Sequence, residues 1–256
     1  MSIDPWRTAI TSSVNGELRV RGYDVTALMT GRSFTDLIAL LFKGALPSEA
    51  ERTLLDAVLV GMAAPGSGAP SCAAARLAAS GNRASLSAAV AAGILTIGDE
   101  HGGAGSTCME LIAEGLALVA RDGLSLDEAA GRLVDQWRAA GRRLPGFGHR
   151  VHTHDPRTPV LFEMARARGV AGDGVLFTEA LERAIAARTR PLTINIDGAL
   201  AALLHDMGYP PPAGRLVFIV GRVAGIAAEV AEEHAREKPM RIRIPVVYDG
   251  EPPREL

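Results

Sequence analysis

Three short runs in this chain set an acid–base residue beside glycine: Asp99-Glu100-His101-Gly102-Gly103, Pro145-Gly146-Phe147-Gly148-His149-Arg150 and Asn195-Ile196-Asp197-Gly198. Each interrupts an apolar pattern, so each lies where a ligand can reach the chain. Two imidazoles and a carboxylate make a workable proton-transfer set, and the neighbouring glycines let a substrate approach the backbone closely. Each run also has a plain structural explanation. His101 could satisfy a helix N-terminus, and Asp197 could be the N-cap of a helix that starts at Ala199. Taken together the three runs point to His101, His149 and Asp197 as catalytic residues.

The segments that must position them are helical in pattern. Ser33 to Phe42 places Leu37, Leu40 and Leu41 on one face, and capping boxes open at Ser48 with Glu51 and at Ser125 with Glu128. Further helices are expected at Ala73–Ala79, Leu86–Ile97, Thr107–Arg121, Val160–Arg168, Val175–Ala187, Ala199–Met207 and Leu216–Glu237. The run 61–71 is a loop, rich in Gly, Pro and Ala, and Leu192–Ile196 is extended. Alternation at Glu17–Arg21 and over Met240–Tyr248 predicts a short β arm near each terminus. The expected fold class is all-α with those arms. A length of 256 residues fits a single unit, with a large helical part at about 1–142 and 191–256 and a smaller lobe at about 143–190.

Bulk composition narrows the partners. A net charge of −2 gives no long-range reason to expect nucleic acid or an anionic membrane. The most apolar stretch, Ala88–Ile97, is too short to span a bilayer, and the first residues lack a secretory pattern, so the cytoplasm is expected. Cys72 and Cys108 lack a CxxC spacing and are expected as small core residues in a reducing compartment. A zinc site is a rival explanation of His149, His152, His154 and Asp155, but their spacing matches neither HExxH nor HxHxDH.

In order and wording these motifs resemble the citrate synthase family. The resemblance runs from Val20-Arg21-Gly22-Tyr23-Asp24 and Gly44-Ala45-Leu46-Pro47 through Asp99–Gly103. It continues in Pro145–Val151 followed by Asp155-Pro156-Arg157, in Asn195–Gly198, and in Val220-Gly221-Arg222-Val223-Ala224-Gly225. The wording of Ala92–Asp99 is most similar to the citryl-CoA lyase branch, which includes the C-terminal module of ATP-citrate lyase. The resemblance implies a citrate synthase-like multi-helical fold, shortened, and enolate chemistry on a coenzyme A thioester. In such a reaction Asp197 exchanges the proton of the acetyl carbon, His101 hydrogen-bonds the thioester oxygen, and His149 serves the keto or hydroxyl oxygen of the second substrate. An unassisted aspartate, with an ordinary pKa of about 3.9, is a poor base for so weak an acid, so the enolate must be stabilised as it forms.

Any one arginine among 27 basic residues is by default a solvated charge. The family motifs assign Arg157, Arg222 and Arg243 to a dicarboxylic 2-oxo acid, which guanidinium forks suit. They assign Pro145, Gly146, Phe147, Gly148 and Arg150 to coenzyme A. No metal and no permanently bound cofactor is expected; the acyl-CoA is a substrate, and a homodimer or higher oligomer is implied. Two departures stand out. The family's His-x-Asp-His run should fall near Met62–Gly68, where this chain reads Met-Ala-Ala-Pro-Gly-Ser-Gly, and the stretch from His149 to Arg157 is one residue short. Cleavage of citryl-CoA, condensation of an acyl-CoA with oxaloacetate or another 2-oxo acid, and non-catalytic binding of acyl-CoA or an organic acid all remain open at this point.

Overall fold

An Asn-Gly pair makes the first hairpin turn, because both residues tolerate the positive φ that a two-residue hairpin demands. Asn15 (φ 54°) and Gly16 (φ 80°) join β1 (Thr11–Val14) to β2 (Glu17–Val20) in the computed structural model, which describes residues 5–148 and 155–255. β3 (Tyr23–Asp24) completes an antiparallel sheet of order β1-β2-β3. The N-terminal arm predicted at Glu17–Arg21 is therefore real.

Helices make up most of the rest: α1 (Val25–Gly31), α2 (Phe34–Lys43), α3 (Glu49–Ala63), α4 (Pro70–Gly81), α5 (Leu86–Leu95), α6 (Ala104–Asp122), α7 (Leu126–Ala139), α8 (Arg157–Ala167), α9 (Asp173–Arg188), α10 (Ile196–Asp206) and α11 (Ala213–Arg236). Ser33, Ser48 and Ser125 each begin a helix with a reciprocal capping box, to Asp36, Glu51 and Glu128. α6 starts three residues before the predicted Thr107. α8 starts at Arg157 rather than Val160, since Pro159 falls in its first turn, where no amide donor is needed. α10 starts at Ile196, ahead of the predicted Ala199, with Asn195 as its N-cap. Asp197 is therefore not a cap; it sits inside the first turn.

The chain divides into two compact units, Met1–Ala64 with Ile97–Ala224 and Pro65–Thr96 with Gly225–Leu256. In the first, α10 is the axis. Ile196 and every residue from Gly198 to Leu204 are buried, and α6, α8 and α9 pack around it. Phe177, Leu111, Ile112, Leu181, Ile185 and Leu200 are among the large side chains fully enclosed there. α9 lacks a side-chain cap of its own. Asp206, the last residue of α10, supplies one by accepting from the amides of Gly172 (2.7 Å), Gly174 (2.6 Å) and Val175 (3.1 Å).

The second unit packs Ala75, Ala79 and Ala89 against Ile226 and Val230. Fully buried Glu233 accepts from Arg76 (2.9 Å) and Arg241 (2.6 Å) within it. The predicted C-terminal β arm is a correction. Among the described residues Met240–Tyr248 joins no ladder, and an alternating sequence without a neighbouring strand has nothing to pair with. No described helix is long and apolar enough to cross a membrane.

Candidate functional site

The residues that carry Asp197 into place are held by main-chain bonds and by three side chains, those of Asn195, Glu182 and Thr158. The turn Pro145–Gly148 lies along the extended segment 192–195. Gly148 N donates to Thr193 O (2.8 Å), Asn195 N to Gly146 O (3.0 Å), and Asn195 Nδ2 to Gly148 O (2.8 Å). Ile194 N donates to Glu182 (2.8 Å), and the Thr158 hydroxyl donates to Ile194 O (3.2 Å). Gly146 (φ +85°) rests directly on Gly198. A β-carbon on Gly198 would stand 2.4 Å from Gly146 O, and one on Gly146 would stand 2.8 Å from both Gly198 Cα and Cys108 Sγ. Only two glycines allow this crossing.

Asn195 Oδ1 then accepts from the amides of Asp197 (2.9 Å) and Gly198 (3.2 Å). Asp197 Oδ1 is sealed from solvent and has no hydrogen-bond partner among the described residues. Burial pushes its pKa up to about 6, against the pull of Arg222 and Arg157, while the charge of Asp155 adds to the rise. A carboxylate stripped of donors and water is a stronger base than an exposed one. Cys108 lies alongside, its thiol pushed up to about 12 by burial and then by the charge of Asp197, so it stays protonated.

His101 lies three residues before the start of α6. Its backbone closes a tight turn with Gly98, through bonds of 2.9 Å and 3.0 Å. Its ring meets the edge of Phe218 at 6.2 Å between centroids and 82° between planes. One turn further along α11, the Arg222 guanidinium lies 4.5 Å over the same Phe218 ring. Arg222 is 2% exposed and donates from Nε to Met62 O (2.8 Å). Arg157 donates from Nη1 to Gly61 O (2.8 Å). Both arginines thus satisfy carbonyls of the last turn of α3, the end of a helix at which positive charge is favoured.

The structure therefore brings Asp197, Arg157, Arg222 and the Pro145–Gly148 turn together, and links His101 to Arg222 through Phe218. His149 and Arg150 lie outside the described residues, as do His152 and His154 of the zinc-spaced group. Arg243 is an exposed residue of the second unit. Among the described residues no group of three or more His, Cys, Asp or Glu is placed to hold a metal ion. Asn195, Cys108 and Phe218 are not singled out from sequence as site residues, and as a site residue Asp155 enters there only as a ligand of the rival zinc site. Phe218 was the accessible one, since a residue four before Arg222 on a helix shares its face. A buried base of raised pKa, an imidazole and two guanidiniums form a set able to take a proton from carbon beside a carbonyl and hold a carboxylate.

Residues 48–243 match the family model described as the citrate synthase C-terminal domain. A citryl-CoA lyase from Hydrogenobacter thermophilus is 37% identical, with a TM-score of 0.89 over 98% of this chain and 97% of that one. Citrate synthase 1 of Mycobacterium tuberculosis is 32% identical over 164 residues, 60% of this chain and 36% of that protein. An ATP citrate lyase of Methanosaeta concilii, solved in complex with (3S)-citryl-CoA, shares the fold at a TM-score of 0.80 and 20% identity, over 98% of this chain and 43% of that one. The chain spans less than half the length of the first curated citrate synthases it matches.

Proposed function

The chain belongs to the citrate synthase family, and we propose that it is a citryl-CoA lyase, cleaving citryl-CoA to acetyl-CoA and oxaloacetate without a metal. The observation that carries this is the buried Asp197 Oδ1, without a hydrogen-bond partner among the described residues, on a carboxyl whose pKa is raised to about 6 despite the charges of Arg222 and Arg157. At pH 7 such a group is protonated in about a tenth of molecules, against roughly a thousandth for an ordinary aspartate. It can therefore act as an acid in one direction and a base in the other.

In cleavage, His149 takes the hydroxyl proton of citryl-CoA. The carbon–carbon bond breaks, its electron pair moves to the thioester as an enolate, and the hydroxyl carbon becomes the keto group of oxaloacetate. His101 hydrogen-bonds the enolate oxygen, and Asp197 delivers a proton to the terminal carbon, giving acetyl-CoA. Arg157, Arg222 and Arg243 hold the oxo acid's carboxylates; Pro145–Gly148 and Arg150 receive coenzyme A. Holding both fragments face to face contributes on the order of 7–11 kcal/mol to lowering the barrier. The same proposal keeps 143–190 as the smaller lobe, and includes a cytoplasmic homodimer in which Arg243 serves the partner's site.

End-to-end similarity to a citryl-CoA lyase favours cleavage. Sequence similarity to citrate synthases supports the reverse condensation of an acyl-CoA with a 2-oxo acid as the second reading. Oxaloacetate release from citryl-CoA, and loss of tritium from the acetyl group of labelled acetyl-CoA in the presence of oxaloacetate, test both. A purely binding homologue does neither, and that result would overturn the proposal. A panel of acyl-CoA and oxo-acid pairs, scored for thiol release, distinguishes lyase from synthase.

A further inference from the structure

Asp155 has no part in the roles given above, although it is 3% exposed and fully engaged. Its Oδ1 accepts from Arg157 N (3.1 Å) and Nε (2.8 Å), and its Oδ2 from Arg157 Nη2 (2.7 Å) and Ile196 N (3.0 Å). Burial opposes its charge, but the bonds from Arg157 outweigh burial and hold its pKa below the ordinary value. One carboxylate thus ties the guanidinium of α8 to the first turn of α10.

In that turn Ile196 N goes to Asp155, Asp197 N and Gly198 N go to the Asn195 side chain, and Ala199 N goes to Asn195 O (3.0 Å). The orphan donors of the helix start are all used. Asp197 is consequently fixed through its main chain while its Oδ1 meets no donor among the described residues.

The same bonds decide which part of Arg157 can meet a substrate. A guanidinium carries five N–H groups. Asp155 takes the one on Nε and one on Nη2, and Gly61 O takes one on Nη1. What remains is one N–H on each terminal nitrogen, so Arg157 meets a carboxylate with its terminal nitrogens and not with its Nε edge.

We propose that Asp155 is a positioning residue for the reaction given under Proposed function, on which this inference rests: it turns Arg157 end-on toward the oxo acid and sets the α10 turn that presents Asp197. It also supplies negative charge near the base. Among the described residues, the charged and titratable groups facing Asp197 are Arg222 from α11, Arg157 from α8, Asp155 from the segment before α8, and Cys108 from α6.

The test uses the full chain as wild type, Asp155→Asn, Arg157→Gln and the double variant, in citryl-CoA cleavage and in tritium loss from acetyl-CoA. For Asp155→Asn we expect the half-saturating oxaloacetate concentration in the exchange assay to rise about tenfold or more, as for loss of a charge-assisted contact. The half-saturating acetyl-CoA concentration should stay put. The acid limb of exchange should move to lower pH, because a negative neighbour has been removed from Asp197. In its oxaloacetate dependence the double variant should be no worse than Arg157→Gln, since for that substrate the two residues act as one unit. If Asp155→Asn leaves both the oxaloacetate dependence and the acid limb at their wild-type positions, or if the two losses in oxaloacetate dependence multiply, Asp155 is only structural. Should Asp155→Asn fail to fold, Asp155→Glu, which keeps the charge but shifts it outward, carries the oxaloacetate readout with the same two outcomes. A wild-type chain inactive in both assays overturns the parent reading, and this inference with it.

Discussion

At Asp197 two opposing effects meet, and burial wins. Removing the carboxylate from water raises its pKa to about 6, although Arg222 and Arg157 pull it down. This has a consequence for stability as well as for reactivity. The folded state binds the Asp197 proton more tightly than the unfolded state, so this group favours folding below pH 3.8 and the contribution is lost as pH rises through about 6. Asp197→Asn should therefore be more stable than wild type at pH 8, by up to about 3 kcal/mol, with the gap closing below pH 4; thermal melts across that range measure it. The same titration sets an acid limb near pH 6 for tritium loss from acetyl-CoA, which needs the unprotonated base. Asp197→Ala should lower turnover on the order of 10³-fold while leaving coenzyme A binding, followed by calorimetry, nearly unchanged. Wild-type turnover in that variant removes Asp197 from the mechanism.

At the level of elements, local chemistry explains where helices start far better than where they are tied. The capping boxes at Ser48 and Ser125 were legible because cap and partner lie three residues apart. The start of α9 was not, because its cap, Asp206, comes from the end of another helix more than thirty residues on in the chain. Asp206→Ala should cost about 2 kcal/mol in denaturant unfolding, the loss of a cap whose three amides are partly enclosed. The turn over α10 makes a second prediction. Gly146→Ala meets both a positive φ of 85° and a neighbouring Cα at 2.8 Å. It should destabilise by roughly 1–3 kcal/mol and weaken acetyl-CoA saturation, since strain and a clash act at one residue. A melting temperature equal to wild type's would show that the crossing tolerates a side chain.

For the whole molecule, the second unit shows what a small alanine core needs in addition. Its enclosed apolar residues are few, and a buried ion cluster around Glu233 joins α11 to Arg76 and Arg241. The hydrogen bond from Arg241, above all, lowers the Glu233 pKa below 4.5. Its contribution is therefore complete above pH 4.5 and is lost as pH falls through the lower folded value. Glu233→Ala takes the buried partner from two guanidiniums, which keep Glu229 and Glu237 respectively, and should cost about 2 kcal/mol at pH 7. Hydrogen exchange in α4 and α11 locates the loss; protection equal to wild type's there would mean the cluster contributes nothing.

Sequence alone determined the helical class, the capped starts of α3 and α7, the N-terminal hairpin, and the three runs that hold His101, His149 and Asp197. Those features depend on periods, caps and turn residues that act over a few positions. Tertiary structure alone decided that Asp197 lies inside a helical turn with its Oδ1 buried, that Arg157 and Arg222 both rest on the end of α3, and that Asp155 holds Arg157 by its inner edge. Burial and partner choice at these residues depend on segments about forty to a hundred and sixty positions apart, and no local pattern encodes which distant carbonyl or carboxylate a buried charge will meet.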